Sequence, residues 1–302
     1  MSTTAVILLL ISAFTHAGWN LLSKKEYPTP AYYFVANTLG VLCVIPIIPY
    51  YWVSIPMIPM LVWILAGMSG FFLATYMIAL AGAYRTGDMS IAYPLSRSLP
   101  VIFVFLLTMV LETGQNLKAW AIFGLILVAA GSIILPMKSW RDFHILDYKN
   151  LCCLLAVLAA LGITGYTITD SEALRHLCQQ PEAPFGPLDA TLIYIVLEGV
   201  SCSIWQFALA IFSAAEKRNI IVVLQNYKSS AAITGIGIYL TYGLVLASMN
   251  YVTNVSYVAA FRQLSIPLSA ILGIALLKEP RYLPKIVGVI TVFIGLVLVR
   301  MD

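Results

Sequence analysis

Apolar residues run through this chain in long blocks, without the alternation of a strand or the single stripe of a soluble amphipathic helix. Ten blocks stand out, at 4–22, 31–51, 58–83, 89–111, 118–137, 150–170, 188–213, 230–250, 254–277 and 282–300. A helix needs about 20 mostly apolar residues to cross the hydrocarbon core of a bilayer, and each block meets that length. Between them lie polar or Pro/Gly-rich stretches such as "SKKEYPTP", "YRTGD", "ETGQN", "KSWRDFHILDYKN" and "QQPEAPFGP", which read as loops. The pattern predicts an all-α integral membrane protein of ten transmembrane helices.

Composition agrees. The 302 residues are 61% hydrophobic and 10% charged, with a mean hydropathy of +0.93, where a soluble domain carries roughly 25% charged residues. The formal net charge of +4 does not point to nucleic acid, because the Lys and Arg residues sit mainly in short loops, where they orient helices. "MSTTAVILLLISAFTHAGWN" lacks a basic leader and holds His16 and Asn20, so it reads as a first span and not a cleaved signal. Cys43, Cys152, Cys153 and Cys202 lie in apolar runs and Cys178 in an expected loop, with no CxxC pair. Neither a disulfide framework, a metal site nor a cofactor is expected.

With ten spans both termini share one side. The loops on the opposite side hold twelve Lys and Arg, Lys24 to Lys285, whereas the terminal side holds Lys118, Arg175 and Arg300. The excess of positive charge marks the cytoplasmic face and places the termini outside. The expected location is the plasma or bacterial inner membrane.

The two halves repeat. "LPVIFVFLLTMVLETGQNLKAWAIFGLILVAAGSIIL" (99–135) and "IPLSAILGIALLKEPRYLPKIVGVITVFIGLVLV" (266–299) both run from a Pro to a Glu twelve residues on. Each then enters a helix with glycines seven apart, Gly124 and Gly131 in one, Gly288 and Gly295 in the other. "GWN" at 18–20 and "GYT" at 165–167 open the two halves alike. Five spans is an odd number, so the second half enters the membrane upside down. The expected units are 1–137, a cytoplasmic linker at 138–149, and 150–302. Inverted repeats place a binding site near the midplane between the halves.

On "GDMSIAYPLSR" (87–97), Glu112 at the end of the fourth block, the glycine-spaced fifth block and "YVAAFRQLSIPLSAILGIALLKE" (257–279), the chain resembles the drug/metabolite transporter superfamily, as a ten-helix member with two EamA-type repeats. Where members of that family usually have Gly before the acid ending the fourth helix, this chain has Leu111, and Lys278 in the second half. "HAGWN" and "TGYTITD" resemble a subgroup associated with phosphonate use. The resemblance spans nearly the whole chain and implies secondary transport of a small solute.

Chemistry at membrane depth comes from few residues. Arg97 and Arg262 precede Pro100 and Pro267 in corresponding places. Arg at a bilayer centre costs about 2.5–3.5 kcal/mol on insertion scales, so both are expected to face a cavity, where a guanidinium grips a carboxylate or phosphate with two parallel hydrogen bonds. The alternative is a structural role, neutralised by an internal acid or by carbonyls that prolines free. Pro94 and Pro100 are expected either to kink the fourth helix or only to shape its packing. Ser12, His16 and Asn20 share one helical face, and His16 is either a carrier of a coupling proton or an interhelical hydrogen-bond partner. Glu198 shares a face with Cys202, Trp205 and Gln206 and is a second candidate carrier or a partner for an Arg. Asp170 is a third, although its place near the end of the sixth block predicts a solvated, interfacial side chain. Tyr93, Tyr76, Tyr239, Tyr242, Tyr257, Trp19 and Asn20 are candidate cavity walls.

"GMSG" (67–70) matches the GxSG pattern of intramembrane serine proteases. The only later histidines, His144 and His176, lie in charged stretches, and a Ser without a base in reach is a weak nucleophile. Gly67, Ser69 and Gly70 are therefore assigned to close helix packing, and no enzyme activity is expected. HExxH, Walker and dinucleotide patterns are absent. The expectation is a secondary transporter, monomeric or homodimeric, of an anionic or zwitterionic solute such as an amino acid, organic acid or phosphonate. Export of aromatic, cationic or drug-like compounds is the alternative within transport, and an intramembrane enzyme or receptor-like binder the alternative outside it.

Overall fold

The computed structural model describes residues 2–25, 29–86, 89–110, 118–134, 137, 139–140, 151–178, 185–268 and 282–301. The side chains of Asn20 and Tyr93 lie outside the described residues, as do Glu112, Lys278, Glu279, His144 and most of the 138–149 linker.

The described residues are helical, with no strand among them. They form α1 (Thr3–Lys25), α2 (Pro30–Val44), α3 (Met60–Thr86), α4 (Met89–Val110), α5 (Ala119–Ile134), α6 (Leu151–Cys178), α7 (Pro187–Ala210), α8 (Ala214–Asn226), α9 (Lys228–Met249), α10 (Val255–Arg262) and α11 (Leu283–Arg300). Tight helical turns at Ile45–Tyr51 prolong α2. Six helical stretches are long and apolar enough to cross a membrane: Pro30–Tyr51, Met60–Ala83, Leu151–Cys178, Pro187–Ala210, Lys228–Met249 and Leu283–Arg300. Thr3–Trp19, Ser96–Val110 and Ala119–Ile134 are shorter apolar helices. The polarity of the fold matches an apolar solvent. Ile7, Phe14, Phe123 and Ile233 are more than half exposed on outer faces, whereas Ser69, Asp170, Thr234 and Ser256 are fully buried.

Three elements differ from the sequence reading, the third being the ninth block, which breaks after Arg262. The sixth helix was expected to end at residue 170 and runs on to Cys178. Its added turns are held by Glu172, which receives Arg175 through two hydrogen bonds and lies 3.0 Å from His176 Nε2, pairs that helical spacing brings together. The stretch between the seventh and eighth blocks, "EKRN" included, is a helix, α8, where the stretches between blocks were read as loops. Ser213 caps it by accepting from the Glu216 backbone at 3.3 Å. Glu216 then ties α8 to two neighbours, accepting from the Ala31 amide at the start of α2 and from Arg85 at the end of α3, both at 3.1 Å.

Packing partners exchange between the halves. α3 packs on α6 and α7, while α9 packs on α1 and α2. α5 pairs with α11, and the spaced glycines set that approach. A Cβ on Gly124 would come within 2.6 Å of the Gly295 carbonyl, and one on Gly131 within 2.9 Å of the Gly288 carbonyl. Backbone meets backbone there, so no side chain can yield. Gly124→Leu should push the two helices apart; overpacking costs about 1–3 kcal/mol, occasionally more. Thermal unfolding in detergent measures this, and an unchanged Tm would contradict the close approach.

The two proline-flanked arginines sit on different backbones. α4 continues as one helix through Pro94 and Pro100. α10 stops at Arg262: the amides of Gln263 and Leu264 turn back to the carbonyls of Ala260 and Phe261 at 3.0 Å each, and helix resumes at 265. Pro267 lacks the amide that would bind the Gln263 carbonyl in an unbroken helix, and Ile266 supplies one instead at 2.9 Å. The Ser265 hydroxyl covers the Arg262 carbonyl at 2.9 Å.

Candidate functional site

A central cavity opens where α1, α2, α3, α4, α6, α7, α9 and α10 converge, with about 730 Å³ of empty space among its lining side chains, part of it open to solvent. Three polar groups give it its character.

The first is Arg97 with His16. Arg97 is buried, between buried Ser96 and Ser98, and its Nη2 meets His16 Nε2. A guanidinium only donates, so His16 accepts at Nε2 and carries its own hydrogen on Nδ1. The imidazole packs edge-on against Trp19, ring centroids 4.7 Å apart. Trp19 Nε1 donates to Thr241 Oγ1 at 3.2 Å, Thr241 Oγ1 donates to Thr15 at 3.0 Å, and Ser12 donates to the Thr241 carbonyl at 2.9 Å. These bonds hold the polar face of α1 against α9.

The second is Arg262. Its Nη2 donates to Tyr166 OH at 2.5 Å and its Nη1 to Thr167 Oγ1 at 3.3 Å. The guanidinium carbon stands 5.3 Å from the Tyr166 ring centre and 5.5 Å from that of Tyr242, within cation–π range. Tyr166 touches Tyr242 and Tyr76 edge-to-face, at 5.5 and 6.1 Å. Among the described residues no carboxylate lies within 4 Å of Arg262. Hydroxyls and ring faces hold this charge, and they leave part of its donor fork for another acceptor.

The third is a pair of carboxyls. Asp170 is fully buried and Glu198 is 1% exposed. Ser69 Oγ lies 2.5 Å from Asp170 Oδ1 and 3.2 Å from Glu198 Oε1. Tyr194 OH donates to Asp170 Oδ1 at 2.8 Å, and Tyr242 OH donates to Asp170 Oδ2. Tyr242 thus joins the carboxyls to the Arg262 cage. Among the described residues no three of His, Cys, Asp and Glu converge as metal ligands would.

The structure brings nine of the residues singled out in the sequence to this one cavity: Ser12, His16, Trp19, Tyr76, Arg97, Glu198, Tyr239, Tyr242 and Arg262. Tyr257 does not join them; it is buried in the apolar core around α10. Asp170 is not the solvated, interfacial residue expected, because α6 continues for two further turns beyond it. Ser69 is more than packing: Gly70 makes the close contact, with an added Cβ 2.6 Å from the Cys202 amide, while nothing lies within 4 Å of one added at Gly67. Trp205 leaves the Glu198 face for the outside, 41% exposed, and donates to the Gly67 carbonyl at 3.1 Å. Sequence reading did not assign Asn37, Tyr166 and Thr241 to the cavity, which they line. Tyr166 was findable, one turn before Asp170 on the same face. Asn37 was a lone polar residue in an apolar helix; it accepts from Tyr239 OH at 2.9 Å and donates to the Gly199 carbonyl at 3.3 Å.

No family model matches the chain, and no curated protein matches it. A crystal structure, described only as that of a protein, superposes with a TM-score of 0.70 over 100% of this chain and 98% of its own, at 14% identity. That likeness concerns the fold alone.

Proposed function

We propose that this chain is a secondary transporter of a small anionic or zwitterionic organic solute, working by alternating access between two inverted five-helix halves, 1–137 and 150–302. The observation that carries the reading is the central cavity, which receives Arg97 from one half and Arg262 from the other. Both charges line this cavity, and two guanidinium forks with aromatic walls suit a carboxylate or phosphonate on a small organic body. The exchange of packing partners, α3 on α6 and α9 on α1, is what a two-fold axis in the membrane plane would produce. The break at Arg262 fits the same reading, since discontinuous helices commonly build transporter sites. The full count of ten spans requires the shorter apolar helices to cross as well. No catalysis is part of this reading: the Ser69 hydroxyl faces Asp170 and Glu198 and, among the described residues, no histidine.

The test is a thermal-stability panel on purified protein, with carboxylates, phosphonates, amino acids and organic cations. A ligand that binds the folded state alone raises apparent stability, by about 2.7 kcal/mol at a hundred times its Kd. Stabilisation by anions and zwitterions is the expected result. The cavity also holds Glu198 and aromatic rings, which favours a second reading, export of aromatic cations; stabilisation by cations alone would select it.

Orientation has its own check. A cysteine at Leu188, 65% exposed at the start of α7, should react with a membrane-impermeant reagent added to intact cells. One at Lys217, exposed on α8, should react only after the membrane is opened. The reverse pattern would invert the proposed topology, and equal reaction at both would refute the span between them.

A further inference from the structure

Hydrogens around Ser69 can be counted. A serine hydroxyl donates one hydrogen and accepts at two lone pairs; an ionised carboxylate only accepts. Ser69 Oγ lies within hydrogen-bond distance of both Asp170 and Glu198, and its single hydrogen serves only one of them. The other contact is a hydrogen bond only if that carboxyl is the donor. Asp170 already receives the hydroxyls of Tyr194 and Tyr242, and of the two contacts that Ser69 makes the one to Asp170 is the shorter, 2.5 Å against 3.2 Å. It therefore accepts three hydroxyl hydrogens as an ion. Glu198 has Ser69 as its hydrogen-bond partner, and among the described residues no cation lies within 4 Å of it. A buried, unpaired carboxylate is costly, and a neutral acid bonded to a hydroxyl is not.

We propose that Glu198 binds a transferable proton, which it donates in a hydrogen bond to Ser69 Oγ, while Asp170 on the other side of Ser69 stays ionised. Glu198 lines the central cavity and Asp170 does not, so the proton is stored where a solute or water can reach it. Ser69 is a positioning residue that fixes which carboxyl holds the hydrogen. Tyr242, bonded to Asp170 and facing Arg262, is the element through which a change at the arginine reaches the carboxyls.

Other groups must be told apart from this one. Tyr194 and Cys202 flank Glu198 on α7, Tyr239 and Tyr242 reach it from α9, and Tyr166 and Tyr76 line the same cavity from α6 and α3. Arg262 lies at the end of α10, and Arg97 with His16 across the cavity. Ordinary values are about 10 for Tyr, about 8.5 for Cys and above 12 for Arg, so His16 is the other group here that ordinarily titrates near neutral pH. His16 already accepts from Arg97 at Nε2, and it carries no carboxyl signal.

Infrared difference spectroscopy of purified protein at neutral pH tests the proposal without any solute. Exposed Asp and Glu are ionised there, so the C=O stretch of a neutral carboxylic acid stands clear. The expected band is present in the wild type, absent from Glu198→Gln, kept in Asp170→Asn and shifted in Ser69→Ala. Its absence from the wild type would overturn the proposal; so would its loss in Asp170→Asn with survival in Glu198→Gln, or an unshifted band in Ser69→Ala. Melting gives an independent reading. Glu198→Gln swaps one neutral group for another and should keep its Tm. Asp170→Asn puts an amide where three hydroxyls donate and should melt lower; an equal fall in both would contradict the assignment. A Tm that rises with sodium but not with choline chloride would make the oxygen cluster a cation site instead. The use of this proton in transport rests on the function proposed above, whereas the band does not, so a failed solute panel and a missing band are separate results.

Discussion

Arg97→Lys should weaken binding of the stabilising solute about ten- to a hundred-fold while the protein still inserts and folds. Lysine keeps the charge but loses the planar two-pronged geometry, and a hydrogen bond to a charged group is worth roughly 1.5–3 kcal/mol, with each 1.4 kcal/mol a factor of ten in affinity. Arg97→Ala should bind more weakly still. The environment sharpens the expectation. His16 meets Arg97 as a neutral acceptor, so removing the guanidinium leaves no like or opposite charge on that ring. If Arg97 served structure alone, its loss would instead lower the amount of folded protein, and binding by what remained would be normal. Binding and Tm measured together on the same variant decide between these outcomes. Normal binding by a stable Arg97→Ala would remove this arginine from the solute's site.

Glu198→Gln should abolish pH-driven accumulation of the solute while solute-for-solute exchange persists. Gln holds the shape of the neutral acid and its bond to Ser69, yet has no proton to release, so the variant is fixed in one of the two states that coupling needs. His16→Gln separates the remaining candidate. If His16 is an interhelical partner of Arg97, pH-driven accumulation survives this change in the variant that still binds solute. Unchanged accumulation in Glu198→Gln would remove Glu198 as the carrier, whatever its infrared band.

Much of the cavity was legible because cost marks function at membrane depth. Arg97, Arg262, His16 and Glu198 stood out as polar or charged residues inside apolar blocks, and all four line one cavity. Asp170 was misplaced for a local reason. The run of polar residues after it reads as a helix end, and Glu172 with Arg175 and His176 turns that run into two further turns of helix. Ser69 was misread because packing and hydrogen bonding both favour a small residue, and only a partner distinguishes them.

The sequence by itself determined the helical, membrane-type character of this protein, since the length and apolarity of a block are properties of contiguous residues and the bilayer tests each block alone. It also marked which side chains are too costly to face lipid. The tertiary structure decided their partners. Ser69 meets Asp170 across 101 residues and Glu198 across 129, and Arg262 reaches Tyr166 across 96. No spacing rule spans such separations. They are set by which helices pack together, and that depends on backbone approaches such as Gly124 on Gly295. The packing of α3 on α6 and α7, with close approaches of Gly162 to the Phe72 carbonyl and of Gly70 to the Cys202 amide, places one hydroxyl between two carboxyls.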